Sequence, residues 1–90
     1  STMPKSLSKI IRKAYEACKK ESDEVLVAKL GGKIKAENPN FKLDTYGYTK
    51  FKDLCSAYPS EIELYENSKA ALCIRLIHSA KQRKSNNFTN

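Results

Sequence analysis

Leu7, Ile10, Ile11, Ala14, Tyr15 and Cys18 recur three and four positions apart, the spacing that gathers side chains on one face of an α-helix, while Lys9, Arg12, Lys13, Glu16, Lys19 and Lys20 fall elsewhere. The pattern predicts a first amphipathic helix with Ser6 or Ser8 as its N-cap. Next, Glu24-Val25-Leu26-Val27 has the β-branched character of a very short strand. Leu30 and Ile34, four apart, then predict a second helix running to Glu37. Gly31 and Gly32 lie inside that helix, where each costs about 1 kcal/mol relative to alanine. Such a cost implies another backbone passing close by, the alternative being a break in the helix. Asn38-Pro39-Asn40 stops the helix, because the residue before proline is pushed out of the α region and proline offers no N–H.

A loop through Phe41-Lys42-Leu43-Asp44 follows. After Gly47, the residues Tyr48, Phe51, Leu54, Cys55 and Tyr58 line one face of a third helix, which Pro59 closes. The period then changes to two. Ile62 and Leu64 alternate with Glu61, Glu63 and Tyr65, and after Asn67-Ser68-Lys69 the residues Leu72, Ile74 and Leu76 alternate with Cys73 and Arg75. This is a hairpin. The predicted fold class is therefore α+β, mainly helical: a winged helix-turn-helix with three helices, a short strand and a C-terminal β-hairpin wing. Residues 1–5 read as an N-terminal extension, with Ser1-Thr2 ahead of Met3 resembling a cloning remnant, 6–77 as the domain and 78–90 as a flexible basic tail with almost nothing to bury.

Ninety residues fit one domain, and a chain this short needs nearly every apolar side chain for its core. Little remains for a deep active site. No apolar run approaches the roughly 20 residues of a membrane span, and no signal or transit segment is visible near Met3, so a soluble, cytoplasmic protein is expected. Cys18, Cys55 and Cys73 are far apart, each in an apolar stretch, and read as reduced buried hydrophobes. The formal charge of +7 raises the concentration of polyanions around the surface and makes nucleic acid the first partner to consider.

The order of elements, together with Phe41-Lys42-Leu43-Asp44-Thr45-Tyr46-Gly47-Tyr48-Thr49-Lys50-Phe51-Lys52-Asp53-Leu54 and, upstream, Val25, Leu26, Leu30-Gly31 and Ile34, resembles the LOTUS family, also called OST-HTH, over roughly Leu7 to Ile77. Two departures matter. Where the family often shows Phe-Asp-Pro-Arg this chain has Phe41-Lys42-Leu43-Asp44, and where a serine often caps the second helix it has Ala28. The polar contacts of those family residues are not carried over. The resemblance implies a non-catalytic module excised from a larger RNA-processing protein, with nuclease domains among its neighbours, that binds structured or G-rich RNA. A longer subclass of the family binds a DEAD-box helicase through an extra C-terminal helix. The residues after Ile77 lack the apolar stripe such a helix would need.

The candidate contacts with RNA each have a plainer reading. Lys50 and Lys52, with Thr49 at the start of the third helix, suit phosphate contacts, or form an ordinary solvated face that Asp53 weakens. Lys29, Lys33 and Lys35 form a stripe on the second helix with no acid between them, and Lys42 follows, as a track for a phosphate backbone. The first helix is as basic, yet Arg12, Glu16 and Lys20 are spaced for surface ion pairs. Tyr46 suits stacking on an unpaired base or packing under the loop, and Tyr48 reads as core. Arg75 can reach a phosphate from the wing unless the glutamates of the facing strand neutralise it.

No constellation suits catalysis, zinc or another cofactor: His78 is the sole histidine, and there is neither a P-loop nor a dinucleotide-binding glycine fingerprint. No membrane or small-molecule substrate is implied. The rival from another class is a protein-interaction adaptor that docks a helicase or a second copy of itself. DNA ranks third, since Lys50 and Lys52 carry little of the base-edge code that Arg, Asn and Gln supply.

Overall fold

The computed structural model describes residues 2–77. Helix α1 covers Lys5–Glu21 and buries Leu7, Ile11, Ala14, Tyr15 and Cys18. Its N-cap is Pro4, not Ser6 or Ser8; the Ser8 N–H donates to the Pro4 carbonyl at 2.9 Å. The earlier start has a packing cause. Met3 is only 5% exposed and belongs to the core, and its N–H donates to Glu61 Oε2 at 3.1 Å, so the chain is already anchored two residues before the helix. Residues 3–5 are thus part of the folded body. The expected tail, 78–90, lies outside the described residues.

Strand β1 is Val25–Leu26, and α2, Val27–Glu37, follows it without a loop, burying Val27, Leu30 and Ile34. Asn38 ends α2 by donating both its backbone N–H and its side-chain Nδ2 to the Ile34 carbonyl, at 2.8 and 3.0 Å, one residue before Pro39. Both glycines are inside the helix, as the pattern requires. The expected backbone crossing is absent: a Cβ on Gly31 would meet the Phe51 ring at 3.6 Å, an ordinary contact, and one on Gly32 would meet nothing within 4 Å.

The loop beyond contains a 3₁₀ turn, Leu43–Tyr46, ended by Gly47 at φ 90°, a backbone conformation that favours glycine. The third helix, α3, is much shorter than its periodicity suggests. It spans Phe51–Ser56, with Lys50 as an extended N-cap. Tyr48 keeps helical spacing with Phe51, but its N–H donates to the Leu43 carbonyl at 3.2 Å, which holds it in the preceding turn. Tyr58 is buried from beyond the helix end.

Strands β2 (Ile62–Glu66) and β3 (Leu72–Leu76) form the predicted hairpin, and β1 adds to the far side of β3, giving a three-stranded antiparallel sheet in the order β1-β3-β2. Val25 pairs with Ile74 and Leu26 with Cys73, while Ile62 faces Leu76 and Leu64 faces Ile74. Ile74 packs into the core with Leu7, Ile11, Leu30, Ile34 and Leu54. Cys73, on the alternate face, is also fully buried, between its half-buried cross-strand partners Leu26 and Tyr65. The three cysteines are free thiols, as expected. The hairpin turn is knit by Asn67, whose Oδ1 accepts from the N–H groups of Lys69 and Ala71 at 2.9 and 3.0 Å, and Ala70 within it sits at φ 63°.

Candidate nucleic-acid interface

Three half-buried aromatic side chains, Phe41, Tyr48 and Phe51, border a groove of about 580 Å³ where α2, the 3₁₀ turn and the start of α3 meet. Gly31 and Ile34 of α2 and Leu43 complete its apolar lining, and Lys35, Lys42, Asp44 and Thr49 supply its polar groups. Each residue arrives there for a local reason. Lys35 follows Ile34, whose burial turns the next helical position outward, and Lys42 is the extended residue ahead of the 3₁₀ turn. Thr49 and Lys50 lie in the bend between Tyr48 and α3, so both precede the helix that the sequence assigned to them. Lys52 is exposed on α3 itself, next to Asp53.

The remaining lysines of the α2 stripe behave differently. Lys29 Nζ lies 3.4 Å and Lys33 Nζ 3.9 Å from the two carboxylate oxygens of Glu21, at the end of α1. The stripe is therefore not free of acids. No acid interrupts it within α2, but packing α1 against α2 brings one from a neighbouring element, a partner that sequence spacing along one helix does not show. Among the described residues, Lys35, Lys42, Lys50 and Lys52 have no carboxylate within 4.0 Å. The surface ion pairs expected among Arg12, Glu16 and Lys20 do not form; Lys19 instead donates to the Asp23 carbonyl at 3.1 Å.

Arg75 is occupied. Its guanidinium lies 2.9 Å from Glu63 Oε1, directly across the β2–β3 pair, and 4.4 Å from the centre of the Tyr65 ring. It does not line the groove. Tyr46 stacks on Phe41 with ring centres 6.0 Å apart and planes inclined by 29°, so its ring is engaged under the loop rather than free. Tyr48 packs against the core, and also presents to the groove.

The structure thus brings Lys35, Lys42 and Thr49 to one groove, places Lys50 and Lys52 in the adjoining segment and helix, and leaves Lys29, Lys33 and Arg75 in ion pairs. The apolar part of that groove, Phe41, Leu43 and Phe51 with the bare Gly31, was not foreseen as a site. The available signal was the cluster of aromatic residues on either side of Gly47, whose spacing also fits a core. Among the described residues no cluster of His, Cys, Asp and Glu suits a metal, and no helix is long and apolar enough to cross a membrane.

No curated protein matches the chain closely enough to count as a relative. The model of the OST-HTH/LOTUS domain, a family of non-catalytic modules that bind RNA and proteins, matches residues 2–74, which takes in all three helices, β1, β2 and most of β3. Together with the three helices and the antiparallel sheet of a winged-helix-like fold, that match shows that the chain belongs to the OST-HTH/LOTUS domain family.

Proposed function

We propose that this module binds RNA, structured or G-rich, through the face that carries Lys35, Lys42, Thr49, Lys50 and Lys52, as the non-catalytic part of a larger cytoplasmic RNA-processing protein. One observation carries the choice of face. The lysines around the groove are without carboxylate partners among the described residues, whereas Lys29, Lys33 and Arg75 each have one; Arg12, Lys13 and Lys20 of α1 are equally unpaired, but none of them lines the groove. An uncompensated ammonium group gains most when it replaces its counterions with a phosphate. Base-edge readout contributes little, since lysine is a point charge without the fork geometry that reads a base pair.

The test is a fluorescence-anisotropy titration of the folded protein with structured, G-rich and single-stranded RNA and with duplex DNA, at two salt concentrations. RNA binding that exceeds DNA binding and weakens with salt supports the reading. Equal affinity for DNA would replace RNA with nucleic acid in general. Absence of binding to every oligonucleotide would overturn it in favour of a protein partner.

A further inference from the structure

Helix α2 carries a glycine that its packing does not require. The backbone at Gly31 is helical, and an added methyl group would touch the Phe51 ring at 3.6 Å, an ordinary van der Waals distance. Alanine would therefore fit and would remove the penalty of about 1 kcal/mol that glycine imposes on a helix interior. With no side chain at Gly31, the groove is lined there by bare helix backbone beside the Phe51 ring. Gly32, its neighbour, lies on the exposed side of the helix with nothing within 4 Å.

We propose that this groove receives a single unpaired nucleobase, with the phosphates on either side of it held by Lys35 and Lys42. The inference rests on the RNA-binding reading and adds to it the form of RNA that is selected. A volume of about 580 Å³ is in the range of small-molecule sites, about 300–1,000 Å³. Half-buried Phe41, Tyr48 and Phe51 offer aromatic surface for the flat apolar faces of a base. The Thr49 hydroxyl and the Asp44 carboxylate are the polar groups of the lining able to hydrogen-bond a base edge or a ribose 2′-OH. The negative flanks of a nucleotide suit the two lysines, and its uncharged centre suits the apolar floor. A base within a duplex is stacked on both faces and cannot enter, so the site selects loops, bulges and strand ends.

The experiment compares three RNA hairpins of the same stem: fully paired, with one bulged nucleotide, and with that nucleotide made abasic. The bulged hairpin is expected to bind about tenfold more tightly than the paired one, and the abasic hairpin to lose that advantage while keeping its phosphates. Gly31→Leu, whose side chain beyond a Cβ already 3.6 Å from the Phe51 ring must occupy the groove or displace that ring, is expected to bind all three hairpins equally, with a thermal melt to confirm that it remains folded. Gly32→Ala is expected to keep the preference. Equal binding of the three hairpins by the unmodified protein overturns the inference and leaves the RNA reading intact, whatever happens to the variants. Absence of binding to any hairpin overturns both and assigns the groove to a protein partner.

Discussion

If Lys35 and Lys42 each neutralise one phosphate, replacing both with glutamine removes two charge contacts while leaving the fold alone, because both side chains are exposed and form no ion pair among the described residues. For single-stranded nucleic acid the logarithm of the binding constant falls with the logarithm of salt by about 0.7 per phosphate contact. The Lys35→Gln, Lys42→Gln protein should therefore show a slope shallower by about 1.4, and an affinity at about 0.1 M salt reduced about 25-fold, with the two titrations converging toward about 1 M. The assay is an anisotropy titration at four or more salt concentrations, with thermal melts to confirm that stability moves by no more than about 0.5 kcal/mol. The companion protein, Lys29→Gln with Lys33→Gln, should lose much less of the slope, since Glu21 already lies beside both ammonium groups. An unchanged slope in the first protein, or a larger change in the second, would refute the reasoning and move the phosphate track to the Glu21 side of α2.

Two further outcomes concern the fold. Ala70 holds a left-handed backbone, φ 63°, on an exposed turn, a strain of about 1 kcal/mol for an L residue, partly offset in the variant by the greater freedom of glycine when unfolded; Ala70→Gly should raise stability by about 0.5 kcal/mol in urea unfolding, and a loss would show that the turn is not strained. Burial pushes the Cys55 thiol up to about 12 from an ordinary 9.0, so the folded state retains a proton that the unfolded chain releases. Stability should hold below pH 9.0 and fall as pH rises from there toward about 12, with Cys18, Tyr58 and Tyr65 shifted in the same direction, chiefly by burial. Cys55→Ala should flatten the alkaline limb of a denaturation series, and an equally steep limb would assign it to the other groups.

The elements that could be read from the chain are those whose burial repeats. α1 has five buried positions at helical spacing, and the apolar residues of the hairpin alternate along the sequence of each strand, so periodicity locates them, although Cys73 and Ile74 are both buried. α3 defeated the same reasoning because Tyr48 and Tyr58 keep helical spacing with Phe51 and Leu54 yet reach the core from a turn and from beyond the helix end. The candidate site divides in the same way. Lys35, Lys42 and Thr49 were legible as charge and hydrogen-bonding capacity, whereas the Glu21 partners of Lys29 and Lys33 depend on the packing of two helices. Arg75 falls between, because its neutralisation by a glutamate of the facing strand was foreseeable, and register decided that the glutamate is Glu63.

The place of β3 in the middle of the sheet bears on the order in which the protein can assemble as it is made. Val25 and Leu26 have no strand partner until Ile74 and Cys73 exist, and Leu7, Ile11 and Leu30 await Ile74 to close the core. A nascent chain holding only the three helices lacks its central strand, and the long-range pairings it needs are the slowest kind to form. Without β3, β1 has no strand partner and the core is open at Ile74, so a chain ended before Leu72 is expected to be much less stable than the whole domain.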